Sequence, residues 1–138
     1  HIFYFTFLRL KIMSENIVLT TGVYDLIKDH IRRRRTTKAQ EEILINELKK
    51  AKQVVRRELP EDIVTLNKLV TVKNINSNEI LTVTFVSPDK AKPNKNKPSI
   101  LSELGIAIVG YKVGDIISWP SNEGEIKYEI LKVDSLPN

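Results

Sequence analysis

The period of the side-chain pattern changes from helical to two at Pro60, and that change limits the possible folds more than any other feature. Before it, Val23, Leu26, Ile27, His30 and Ile31 share one face at helical spacing, and Leu44, Leu48, Ala51 and Val55 repeat the pattern. After it, "VTLNKLVTVKNI" and "EILTVTFV" alternate or run with β-branched residues, as strands do when successive side chains point to opposite faces. A helical first part followed by strands makes an α+β protein, because each apolar face must be buried against another layer. With 138 residues, the chain has room for one ordinary domain and an appendage.

The helical part reads as an antiparallel hairpin over residues 20–58, a short coiled coil. Thr20 and Thr21 precede a helix expected from about Gly22 to Arg34. After Arg32-Arg33-Arg34-Arg35, Thr37 and Gln40 stand at capping-box spacing, and Glu41 and Glu42 suit the positive end of a helix dipole. The spacing predicts a second helix of about 20 residues, roughly 30 Å long, ending near Pro60. Residues 1–19 are expected to be a leader outside the fold. Their apolar run, Ile2 to Leu8, lacks a preceding basic region and is too short to span a bilayer. The first twelve residues read as an extension upstream of a natural start at Met13, with an amphipathic anchor as the alternative.

Residues 59–135 read as an antiparallel sheet with one packed helix. Asn76-Ser77-Asn78 joins two strands into a hairpin, and "SPDKAKPNKNKPS" is an exposed loop rich in proline. Ser102 caps a short helix in "SELGIAIVGY", apolar nearly all round and therefore buried against the sheet. Gly110 and Gly114-Asp115 turn the chain into "DIISWP" and "IKYEILKV", joined through Asn122-Glu123-Gly124.

Composition removes several classes of chemistry. The absence of cysteine excludes disulfides, thiol catalysis and thiolate-bound metal, and two histidines cannot build a histidine-rich metal site. No serine has a nearby histidine and acid, and no glycine-rich phosphate loop is present. No catalytic residue, metal ligand or cofactor is assigned. The net charge of +5 favours an acidic partner or nucleic acid. Four adjacent guanidiniums repel one another, so the arginines belong at a solvated tip or against a polyanion.

The run from Glu58 to Val133 resembles the C-terminal domain of the bacterial Gre transcription factors and of Rnk, the regulator of nucleoside diphosphate kinase. The matching pieces are "LPEDIVTLNKLVTV", "SPDKA", "SILSELGIAIVGYKVGD" and "YEILKV", in that order. The resemblance implies an FKBP-like domain preceded by a helical hairpin, and RNA polymerase as the partner. Gre factors dock this domain at the rim of the polymerase secondary channel and insert the hairpin. A pair of carboxylates at its tip helps hold the magnesium ion that drives transcript cleavage, a task for hard oxygen ligands.

Here the tip has the opposite sign. Arg32, Arg33, Arg34, Arg35 and Lys38 occupy it, while Asp29, Glu41 and Glu42 lie on the flanking helices. The resemblance therefore points to the Rnk-like branch: a cytoplasmic, non-cleaving, monomeric regulator of elongation whose tip meets phosphates or channel carboxylates through the arginine fork. The loop that contacts polymerase in Gre factors maps onto Ser99, Ser102, Leu104 and Gly105. Glu103 stands there where the family usually has proline, so the loop lacks that residue's fixed φ. For Gly105 and Gly110, backbone geometry and close packing weigh more than direct contact. Two other functions compete with this reading. Prolyl isomerisation lacks its aromatic pocket motifs, since Phe85, Tyr111, Trp119 and Tyr128 match none of them. A basic nucleic-acid module could use Arg32 to Arg35, the Lys49 to Arg57 face and "DKAKPNKNK", but lacks interleaved aromatics for base stacking.

Overall fold

The computed structural model describes residues 16–137. Strand β1 (Val18–Thr20) leads into helices α1 (Thr21–Arg32) and α2 (Lys38–Lys50), and strand β2 (Lys52–Val54) follows. Strands β3 (Lys68–Asn74) and β4 (Glu79–Thr84), helix α3 (Glu103–Ile108), and strands β5 (Ile116–Ser121) and β6 (Gly124–Ser135) complete the order. The last four strands form an antiparallel sheet in the order β4-β3-β6-β5, with a bulge where β3 meets β6 at Thr71/Val72. The α+β class read from the change of period is the class observed.

The helices begin where their capping residues stand. Thr20 Oγ1 accepts a hydrogen bond from the Val23 amide at 3.3 Å and starts α1. The Thr37 hydroxyl accepts from the Gln40 amide, while the Gln40 side chain accepts from the Thr37 amide, each at 3.2 Å. This reciprocal box satisfies two donors that a helix start otherwise leaves unpaired.

Two expectations are corrected. The second helix does not run for about 20 residues. It ends at Lys50, the chain turns extended at Ala51, and Val55 is 49% exposed instead of lying on the apolar stripe. The reason is tertiary: β2 pairs in parallel with β1, and the Lys52 amide donates to the Ile17 carbonyl at 2.9 Å. The β-branched pair Val54-Val55 suits an extended backbone, so little helix propensity opposes the pairing. The second correction concerns residues 17–19, expected outside the fold. They carry Ile17 and Leu19 into the main core, and the fold boundary moves upstream accordingly. Asn16 is exposed, and residues 1–15 of the expected leader lie outside the described residues.

Gly110 explains how β1 is seated. Its φ of +88° is left-handed, and a Cβ there would stand 2.8 Å from Ile17 Cβ and 2.9 Å from Leu19 Cδ2. The Val18 amide donates to its carbonyl at 3.2 Å. Only glycine permits that approach at that backbone angle. One continuous core results, in which Val23, Ile27 and Leu44 of the hairpin join Val70, Val72, Trp119 and Ile130 of the sheet, Ile108 of α3, and Phe85 just past β4. Among the described residues, no helix is long and apolar enough to cross a membrane.

Candidate functional site

The arginine run sits where α1 stops, and its backbone is specific. Arg34 adopts φ +57°, its amide donates to the Ile31 carbonyl at 2.9 Å, and the Arg35 amide donates to the His30 carbonyl at 3.4 Å. This double bond pattern is a Schellman closure, in which the left-handed position is usually glycine. An arginine held there costs roughly 1 kcal/mol relative to glycine.

The tip divides its charges between two sides. Arg32 and Arg33 both turn to Asp29: Arg32 Nη2 donates to Oδ1, and Arg33 Nε lies 2.9 Å from Oδ2. The Arg32 hydrogen bond holds the Asp29 carboxyl below the usual carboxylate range. Arg34 and Arg35 instead line a cleft of about 490 Å³ between the tip and the region of α3. His30, Thr36, Thr37 and Gln40 line the hairpin side of this cleft, and Leu101, Glu103, Ile106 and Asn122 line the other. Lys38 is exposed outside it. His30 titrates below the ordinary histidine value because it is partly buried and feels the Arg35 charge.

The loop residues singled out from the sequence have different fates. Ser99 Oγ accepts from the Leu101 amide at 2.9 Å, and Ser102 Oγ accepts from the Gly105 amide at 3.3 Å, so both hydroxyls shape the backbone. Gly105 is buried, and a Cβ there would stand 2.3 Å from the Ile100 carbonyl oxygen. Leu104 is half-buried against the core. Glu103 is the exposed member of the five, and with Leu101 it brings the loop to the tip. Tyr128 titrates above its ordinary value through burial and the nearby Glu103 charge.

Two contacts fasten the hairpin to the sheet. Gln40 is 5% exposed, and its Nε2 donates to the Pro120 carbonyl at 2.8 Å. The Tyr111 hydroxyl donates to the Glu47 carboxyl. That carboxyl borders a cavity of about 180 Å³ with Ile43, Ala107, Ile117 and Trp119 around it, and burial pushes its pKa up to about 8. Neither Glu47 nor the cleft-lining His30, Thr36 and Asn122 was singled out as a site residue in the sequence. Gln40 was visible there only as a cap. Their roles come from contacts across the fold, for which local spacing carries no signal.

The sequence pattern described as "Transcription elongation factor, GreA/GreB, C-term" matches residues 59–135. The transcription elongation factor GreA of Clostridium botulinum (strain Langeland) is 41% identical over 91 residues, which cover 66% of this chain and 57% of that protein. The regulator of nucleoside diphosphate kinase of Escherichia coli K12 is 32% identical over 92 residues, covering 66% of this chain and 68% of that protein. The chain thus spans little more than half the length of the GreA proteins it matches. A solved structure, "Prokaryotic transcription elongation factor GreA/GreB from Nitrosomonas europaea", aligns with a TM-score of 0.62 at 27% identity, over 88% of this chain and 99% of that one. The pattern takes in more than half the chain and includes the whole sheet and α3, so the protein belongs to the GreA/GreB family of transcription elongation factors.

Proposed function

We propose that the protein is a cytoplasmic regulator of elongation that binds RNA polymerase at the rim of the secondary channel and does not stimulate transcript cleavage. The observation that carries this reading is the charge of the tip. Arg32 and Arg33 engage Asp29, and Arg34, Arg35 and Lys38 add three further positive groups. A divalent cation placed there would face net repulsion, and the nearest carboxylate already has two guanidinium partners. Among the described residues, no group of three acidic or histidine side chains could hold a metal ion.

The hairpin geometry supports the same reading. The 13 residues of α2 span roughly 20 Å at 1.5 Å per residue, and the hairpin is fastened to its own sheet at Gln40 and Glu47. The tip and the segment 101–106, at the start of α3, then form one surface, suited to a rim contact with acidic groups or phosphates. Arg32, Arg33 and Lys38 are the outward-facing charges for that contact, and Glu103 is the exposed loop residue beside it. The protein acts in this scheme as a monomer, without a cofactor or catalysis of its own.

A backtracked bacterial elongation complex tests the proposal. The protein alone is expected to leave the transcript intact, and excess protein is expected to suppress cleavage stimulated by a GreA factor. Charge reversal of Arg32, Arg33 and Lys38 is expected to weaken that suppression at least tenfold. Cleavage by the protein itself sinks the non-cleaving reading. Binding to isolated duplex DNA at physiological salt with none to polymerase would favour a nucleic-acid module instead.

A further inference from the structure

We propose that the cleft between the hairpin tip and the α3 region binds a nucleoside di- or triphosphate, with its phosphates against Arg34 and Arg35. The proposal does not depend on polymerase docking, because every group it uses lies within this chain.

The argument begins with charge that has no internal partner. Asp29 engages Arg32 and Arg33, whereas neither Arg34 nor Arg35 makes an ion pair among the described residues. Both residues, exposed to solvent, line the same concave volume. Two unpaired, fork-shaped donors in a recess match the tetrahedral oxygens of phosphate better than they match a flat protein surface. The left-handed Arg34 backbone adds an independent observation. Glycine would close α1 with less strain, so the position carries a side chain that the turn does not need.

The hairpin wall is polar where a phosphate would lie. Thr36 Oγ1 is buried at the cleft without a hydrogen-bond partner. The 13-residue α2 begins directly beyond it, with its positive dipole end at Lys38. Partner groups for the buried hydroxyl are expected, since an unsatisfied buried polar atom is destabilising.

The opposite wall argues for an organic part on the ligand. Glu103 repels phosphate but accepts hydrogen bonds from hydroxyls, which a ribose supplies. Leu101 and Ile106 present apolar surface beside it, and Asn122 offers both a donor and an acceptor to a base edge. A volume of about 490 Å³ falls in the range of ordinary small-molecule sites. Phosphates at the arginines, ribose toward Glu103 and base along Leu101 and Ile106 make one consistent placement.

Calorimetry and histidine NMR on the whole chain test it, with ATP, inorganic tripolyphosphate and adenosine as probes. ATP is expected to bind, and to raise the His30 pKa, which burial and then the Arg35 charge now lower, as its negative charge offsets the Arg35 contribution. Asp29 on the same helix, whose carboxyl is held below the usual carboxylate range, and Glu103 across the cleft are the acidic groups that border His30. Arg35→Gln is expected to lower ATP affinity at least tenfold. Arg34→Gly is expected to lower it as well while the midpoint of thermal unfolding stays equal or rises, which separates lost binding from lost folding. Absence of ATP binding, binding untouched by either substitution, or tripolyphosphate binding as tightly as ATP would each overturn the assignment, the last by removing the nucleoside.

Discussion

Gly105 shows how much a single missing side chain can determine. Its Cα lies so close to the Ile100 carbonyl that an added Cβ would stand 2.3 Å from the oxygen, and both groups are backbone. Neither can rotate away, so Gly105→Ala must shift the start of α3. We expect a loss of about 3 kcal/mol in denaturant unfolding, at the upper end of overpacking effects. A loss below about 0.5 kcal/mol would mean that the loop yields freely. The packing reading of this glycine needs only the stretch "SILSELGIAIVG", whose apolar helix has to press against something. The identity of the obstacle, a carbonyl five residues upstream, is not legible there. Arg34 is the converse case: nothing in a run of four arginines says which one occupies the left-handed position, because that follows from where α1 ends.

At the scale of elements, Gln40 joins two structures that the sequence keeps apart by 80 residues. It closes the capping box of α2 and ties that helix to the Pro120 carbonyl of β5. Gln40→Ala removes both interactions and leaves the carbonyl of half-buried Pro120 without this donor. The expected cost is about 2 kcal/mol, combining a lost cap and a lost buried hydrogen bond. Gln40→Glu tests the division of labour: its carboxylate can still accept from the Thr37 amide but cannot donate to Pro120. It is expected to be nearly as destabilising at pH 7, and a variant as stable as the parent would show that the Pro120 bond contributes nothing. The capping half was legible as Thr37 and Gln40 at the right spacing. The other half was not, just as the end of α2 was not, since β1 draws residues 52–54 into an extended pair that no local preference announces.

Across the whole molecule, the hairpin and the sheet share a core, and Glu47 makes their junction sensitive to pH. Burial raises its folded-state pKa to about 8 from an ordinary value near 4.5. The folded protein therefore holds this proton over a range where the unfolded chain has released it. Stability is greatest below pH 4.5 as far as this group is concerned, and declines as pH rises from there toward 8. Among the described residues, no other charged side chain lines its cavity to counter the trend. Glu47→Gln, which stays neutral, is expected to flatten that part of the profile and to stabilise the protein at pH 8 by on the order of 2 kcal/mol. Parallel profiles for parent and variant in urea unfolding between pH 5 and 8 would refute the assignment.

Local chemistry in the chain was enough to define the α+β class, the capped helix starts, the strand hairpin at Asn76-Ser77-Asn78 and the basic charge of the tip. These depend on period, capping residues and side-chain charge, all of which act within a few residues. The end of α2, the burial of Ile17 and Leu19, the proton on Glu47 and the cleft shared by Arg34, Arg35 and Glu103 were decided only by tertiary structure. Each depends on which distant segments share a surface. Strand pairing, exclusion of water and the field of a neighbouring charge act through space, and the order of residues along the chain does not encode those distances one by one.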